Sequence, residues 1–83
     1  MIYIKINCDV ATGLNWSVIA LIARDWRGNL LFAFRARVDT SSLVQAEAQA
    51  LRWAIELVHK HNLDNVCIER DCKTCIQAQS QID

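Results

Sequence analysis

The sequence predicts an α/β domain built on one mixed sheet with helices, in the element order β-β-β-α-β-α. Residues 2–10 alternate strictly between apolar and polar side chains, which is typical of a half-buried strand. Directly after Ser42 the apolar residues take up the spacing of a helix. Because a strand, a crossover helix and a further strand normally form a parallel pair, the fourth strand should pair in parallel with one of the first three.

Three strands are predicted before the helix. Residues 2–10 form the first strand, and Gly13 lies in the turn that follows it. Residues 16–24 are apolar on both sides, so both faces of the second strand are expected to be buried. Residues 25–29 fit a hairpin turn in which Gly28 takes a positive φ, and residues 30–38 return as the third strand.

The second half of the chain supplies the helix, a short strand and a second helix. Ser42 and Gln45 have the spacing of a capping box and predict a helix over residues 43–61. Residues 65–69 fit a fourth strand. A second helix is expected from Asp71, which can cap it, to residue 79.

Composition limits the class of protein. The chain has 83 residues, 53% hydrophobic and 22% charged, as expected for a single globular domain over residues 1–83. Nine Lys and Arg balance nine Asp and Glu, which argues against a protein that holds nucleic acid by bulk charge alone. The longest apolar run is far shorter than the ~20 residues that span a bilayer, and no secretory signal opens the chain. We expect an intracellular protein, cytoplasmic or nuclear, with reduced thiols and no membrane partner.

Three carboxylates lie where packing alone does not require a charge. Asp9 is inside the first strand, Glu47 has apolar neighbours three and four positions away on its helix, and Asp71 ends the fourth strand. Taken singly, Asp71 can be a helix cap, Glu47 a surface residue and Asp9 a salt-bridge partner. Together they predict an all-oxygen site near one end of the sheet, which suits Mg²⁺ or Mn²⁺ better than zinc.

The order and setting of these acids resemble the plant reverse-transcriptase-like ribonuclease H domains. The resemblance runs along essentially the whole chain, and the clearest matches are KINCD at residues 5–9, AEAQAL at 46–51 and VCIERDC at 66–72. It implies a ribonuclease H-like fold and hydrolysis of the RNA strand of an RNA/DNA hybrid. By the same resemblance, Asp9, Glu47 and Asp71 are the catalytic residues and the ligands of two divalent ions, Mg²⁺ or Mn²⁺.

Two departures from the family pattern support an alternative function. Val10 follows Asp9 where the family usually has glycine, and the family continues with a fifth strand and a helix bearing a fourth acid. The chain is therefore expected to be a partial domain without that last strand and helix. Its fourth strand would be an open sheet edge, through which self-association is expected. The alternative is a catalytically inactive ribonuclease H-like module that binds nucleic acid or protein.

Further residues are candidates for binding. The expected nucleic-acid contacts are Trp26, Arg27, Arg70 and Lys73, although the three basic residues also fit a solvated surface. Of the other tryptophans, Trp16 can also stack bases and Trp53 is expected in the core. A third interpretation, a redox or zinc site at the C-x-x-C motif of residues 72–75, lacks the second ligand pair that a zinc site needs.

Overall fold

The computed structural model describes residues 3–70 in full and residues 74–78 as a backbone strand. Five strands form one sheet in the order β3-β2-β1-β4-β5, and a single helix packs on it. The elements are β1 (Ile4–Thr12), β2 (Ser17–Asp25), β3 (Leu30–Val38), α1 (Leu43–Lys60), β4 (Val66–Arg70) and β5 (Thr74–Ala78).

The strand register confirms the predicted mixed sheet. β1 is antiparallel to β2, with Asp9 opposite Ala20, and β2 is antiparallel to β3. β4 pairs in parallel with β1, with Cys8 opposite Arg70, as the crossover through α1 predicts. The domain has the mixed α/β architecture of a ribonuclease H-like fold.

Helix α1 begins at the predicted cap. The Ser42 Oγ accepts a hydrogen bond from the backbone N–H of Gln45 at 3.2 Å. The capping box is not reciprocal, because the Gln45 side chain accepts from the hydroxyl of Thr40 at 2.6 Å instead. The Thr40 Oγ1 in turn accepts the backbone N–H of Ser42 at 3.1 Å.

Helix α1 is the one helix among the described residues, and its length and hydropathy do not make it a candidate membrane span.

The hydrophobic core lies between α1 and one face of the sheet. The helix buries a stripe of small residues, Ala46, Ala50, Ala54 and Val58, which lets its backbone approach the strands closely. The largest fully buried sheet residues beneath it are Ile6, Ile19, Leu21 and Ile68. The spacing of these residues sets which face of each strand is turned towards α1.

The prediction that both faces of β2 are buried is wrong. Ile19, Leu21 and Ala23 are fully buried, but the alternate residues Val18, Ala20 and Ile22 are only half-buried. The reason is that α1 covers one face of the sheet, and no element of the described chain covers the other. We call this second surface the open face.

The β2–β3 hairpin is closed by Asp25. Its Oδ1 accepts the backbone N–H groups of Arg27 and Asn29, both at 2.9 Å, and its Oδ2 accepts the Asn29 side-chain amide at 3.2 Å. These bonds, led by the backbone N–H of Asn29, lower the pKa of the Asp25 carboxyl. Gly28 has a φ of 88°, so the glycine is required at this turn position.

The last predicted element is wrong. Where a second helix was expected, residues 74–78 form β5, which is antiparallel to β4 with Ile76 opposite Ile68. Pairing gives the outer N–H and C=O groups of β4 their hydrogen-bond partners, which a short helix would leave unpaired. β4 is therefore not the open edge predicted for self-association; β3 and β5 are the outermost strands of the sheet. The expected cap at Asp71 lies outside the described residues.

Candidate functional site

Asp9 lies on β1 with its side chain on the open face. It is exposed, and its neighbours Cys8 and Val10 are on the helix side, where Cys8 is buried and Val10 packs against the core. The Asp9 side chain lines a cleft of about 440 Å³ together with Trp16 and Arg35. Its surroundings are therefore open to solvent, and α1 does not contribute to them.

Glu47 lies on the opposite side of the sheet. It is half-buried at the margin of the buried stripe of α1 and lines a small pocket with Cys8, Val10 and Arg70. The pocket holds about 10 Å³, room for a single water molecule. The sequence prediction that Glu47 is turned towards apolar residues is consistent with Leu43 and Ala50, which also line the pocket.

The main chain brings the residues before two of the predicted acids close to Glu47, but the side chains of Asp9 and Glu47 do not meet. Cys8 and Arg70, which pair across β1 and β4 and line the Glu47 pocket, immediately precede Asp9 and Asp71 in the sequence. Asp9, however, opens onto the other face, and Asp71 lies outside the described residues. Within those residues, no group of three His, Cys, Asp or Glu side chains is arranged to hold a metal ion. The three-carboxylate site stays a prediction.

Arg70 is the charged neighbour of Glu47. Its side chain is half-buried, and its Nε atom is buried without a hydrogen-bond partner among the described residues. Burial raises the pKa of the adjacent Cys8 thiol to about 11, and the positive charge of Arg70 opposes that rise. A guanidinium group next to Glu47 repels a divalent cation. This charge opposes metal binding at Glu47, and the predicted pair of metal ions stays a prediction.

Among the described residues, the predicted nucleic-acid contacts Trp26, Arg27 and Arg70 do not share a surface with Asp9. Trp26 is 46% exposed, with the guanidinium carbon of Arg27 4.7 Å from its ring centroid. Both residues lie in the β2–β3 turn. Because Asp9 pairs with Ala20, this turn is five or more residues further along the sheet, roughly 17 Å away. Arg70 lines the Glu47 pocket instead of a solvated face, and Lys73 lies outside the described residues.

Trp16 and the arginines of β3 are the residues that sequence reasoning undervalued. Trp16 is 42% exposed, and the guanidinium carbon of Arg37 lies 5.1 Å from its ring centroid. Arg35 and Arg37 reach the same face as Asp9 because β3 and β1 are both registered on β2. The alternation in residues 34–38 indicated a wetter face, but only the register shows that it is continuous with the Asp9 face. Trp53, expected in the core, is half-buried and packs edge-on against Phe34.

The cysteines differ from one another. Cys8 is a free, buried thiol, as expected for a core residue. Cys67 is disulfide-bonded, so the expectation of reduced thiols is wrong at this position. Cys75 belongs to strand β5 and not to the predicted helix, and the C-x-x-C interpretation stays a prediction. Cys72 lies outside the described residues.

Comparison with known proteins gives one result that bears on identity. The family model described as reverse transcriptase-like matches residues 7–82. No curated protein and no solved structure matches the chain significantly. The match includes β1 from Asn7 onward and all of the later elements, so it rests on the sheet and helix described above and not on one motif. The chain belongs to the reverse transcriptase-like family, whose domains are ribonuclease H-like.

Proposed function

We propose that this domain hydrolyses the RNA strand of RNA/DNA hybrids, with Asp9, Glu47 and Asp71 as the ligands of two Mg²⁺ or Mn²⁺ ions. One observation carries the proposal. The pocket beside Glu47 is lined by Cys8 and Arg70, the residues that immediately precede the other two acids on adjacent parallel strands. The carboxyl ends of parallel strands meet at the same edge of a sheet. This arrangement supports one shared site for the three acids at this end of the domain.

The protein's own part in such a reaction is to hold charge in position. Glu47 is fixed on a helix that is packed along its whole length, and Asp9 is on a central strand bonded on both sides. When bound, the ions would supply an activated water and neutralise charge on the phosphate group. The 2′-hydroxyl group would distinguish the RNA strand from DNA. For Asp9 to act with Glu47, its carboxylate must pass to the helix side of β1.

The alternative function is a non-catalytic ribonuclease H-like module that binds nucleic acid or protein. Two observations favour it. Asp9 and Glu47 open onto opposite faces of the sheet, and Arg70 supplies a positive charge where the metal ions are proposed. Under this alternative, Glu47 and Arg70 stabilise one end of the fold and the domain needs no divalent ion.

Metal binding separates the two functions. Mg²⁺, and then Mn²⁺, is titrated into isotope-labelled protein while backbone amide resonances are followed. The proposal predicts shifts and paramagnetic broadening centred on residues 9, 47 and 71 together, with loss of the response in Asp9→Asn. An unchanged spectrum at all three positions, in folded protein, would remove the catalytic proposal and favour the alternative.

Cleavage is then measured on a labelled RNA/DNA hybrid. Asp9→Asn and Glu47→Gln should each reduce the rate by at least about a hundredfold, because each removes a proposed metal ligand. The matched control is Glu56→Gln on the same helix, since Glu56 is exposed and, within the described part of the chain, its ion pair is with Arg52 at 3.4 Å. This control should leave the rate within a factor of about two. Equal losses in Glu47→Gln and Glu56→Gln would contradict a metal-binding role for Glu47.

A further inference from the structure

We propose that the open-face cleft binds a nucleotide, whose base stacks on Trp16 and whose phosphate is bound by Arg35. The inference goes beyond the proposed hydrolysis, because it requires neither Glu47 nor a divalent ion. The cleft has a volume of about 440 Å³, which is within the range of pockets that hold a small ligand.

The floor of the cleft is apolar. It is formed by the small side chains of Ala11 and Ala20 with Val18, on the face that α1 leaves uncovered. Short side chains leave room for a planar ring to lie against the sheet. A bulkier residue at position 20, in the centre of this floor, would occupy that space.

Trp16 forms one wall, and its backbone is held in place by the β1–β2 turn. The Gly13 N–H donates to the Trp16 carbonyl at 2.7 Å. A Cβ atom at Gly13 would lie 3.0 Å from that carbonyl oxygen, so glycine permits the close approach. The guanidinium group of Arg37 lies over the indole ring. With Arg37 on one side of the ring, a base stacked on the other would extend an existing cation–π pair.

The charges on this face favour a ligand with an anionic end. Lys5 and Glu69 neutralise each other at 3.3 Å. Arg35 has no ion-pair partner among the described residues. Arg35 on β3 and Asp9 on β1 both pair with Ala20 on β2, so they lie on either side of it across the sheet. An anionic group is therefore attracted to the Arg35 side and repelled from the Asp9 side. A ligand with a planar ring and a phosphate group fits this polarity, and Asp9 can accept hydrogen bonds from amino or hydroxyl groups of the ligand.

Calorimetric titration with adenosine 5′-monophosphate in EDTA tests the proposal. We expect one site per chain, and at least about fivefold weaker binding of adenosine, which lacks the phosphate, and of ribose 5-phosphate, which lacks the base. Trp16→Ala should weaken binding at least about fivefold, the lower end of the effect of one base–aromatic stack. Arg35→Ala should also weaken it at least about fivefold, because it removes a charge-assisted hydrogen bond to the phosphate. A hexa-adenylate distinguishes the source. Tighter binding of the hexamer that still depends on Trp16 identifies a single strand, and equal affinity identifies a free nucleotide.

The chain provides a matched control in Trp26 and Arg27, a second exposed tryptophan with an arginine over its ring but outside the cleft. Trp26→Ala should leave the affinity within a factor of about two. Ala20→Leu fills the floor of the cleft and leaves Trp16 in place, so it should abolish nucleotide binding. This variant tests the proposal independently if Trp16→Ala does not fold. The folding of each variant is monitored by circular dichroism. Binding of neither probe, or equal losses in Trp16→Ala and Trp26→Ala, would overturn the proposal. EDTA removes divalent ions throughout, so the measured binding does not depend on the proposed metal site. A failure of the nucleotide proposal is therefore distinguishable from a failure of the proposed hydrolysis.

Discussion

Ser17 makes a hydrogen bond that connects the sheet to the start of the helix carrying Glu47. It is the first residue of β2, is fully buried, and donates from its Oγ to the backbone carbonyl of Thr40 at 2.6 Å. Thr40 accepts the backbone N–H of Ser42, the cap of α1. Replacing Ser17 with alanine therefore removes the donor that fixes the loop from which α1 begins.

The expected cost follows from burial. Ser17→Ala leaves the Thr40 carbonyl without this donor in a partly buried position, and an unsatisfied buried group of this kind costs about 1–3 kcal/mol. For a domain of this size, each kcal/mol lowers the melting temperature by roughly 4–8 °C. We therefore expect a melting temperature lower by about 10 °C, with the fold retained.

The assay is urea unfolding followed by far-ultraviolet circular dichroism, with a thermal melt as a second measurement. The matched control is Ser41→Ala, because Ser41 lies in the same loop and is exposed. We expect the control to change the free energy of unfolding by less than about 0.5 kcal/mol. A loss in Ser17→Ala that is no larger than in Ser41→Ala would refute the reasoning.

Three further predictions concern the core, a thiol and the hairpin. Ile68→Ala, at a fully buried position beneath α1, should lower the free energy of unfolding by about 2–5 kcal/mol, whereas Leu14→Ala, at a residue 92% exposed, should change it little in urea unfolding. Iodoacetamide should modify Cys8 at pH 8 roughly a hundredfold more slowly than a thiol of pKa 9.0, because the thiolate is the reactive form and the pKa of Cys8 is about 11. The rate is measured by mass spectrometry of the peptide that contains Cys8, and equal rates would contradict the raised pKa. Asp25→Asn should destabilise the domain at neutral pH. Because folding lowers the pKa of the Asp25 carboxyl, the difference in the free energy of unfolding between variant and wild type should disappear as the pH falls through that lowered pKa. Urea midpoints that differ equally at pH 7 and pH 2 would contradict this prediction.

Local patterns predicted most of the elements. The period-two alternation at the start, the run at residues 30–38 and the cap at Ser42 each reflect interactions between residues close in sequence. β3 occupies its predicted range, and α1 ends at Lys60, one residue before the predicted end. The error at residues 74–78 has a tertiary cause. A short segment with capping and helical signals forms a strand because β4 offers it an edge with unpaired backbone groups.

The candidate site was only partly predictable. The resemblance to the ribonuclease H family identifies Asp9, Glu47 and Asp71 as site residues. The face of the sheet on which a strand residue lies, however, depends on strand register and on which face the helix covers. Cys8 is buried against the core, so the next residue, Asp9, is turned to the open face. Arg70 is predicted as a nucleic-acid contact or as part of a solvated surface, yet alternation from the buried Ile68 brings it to the helix side beside Glu47.

The sequence by itself determined the identity of the family, the three β-strands that open the domain, and the helix and its cap, because each depends on the spacing and type of neighbouring residues. Tertiary structure alone decided three other features: the pairing of β5 with β4, the uncovered face of β2, and the cleft that unites Asp9, Trp16 and Arg35. These residues come from three segments of the chain. Only the register of β1, β2 and β3 brings them onto one surface.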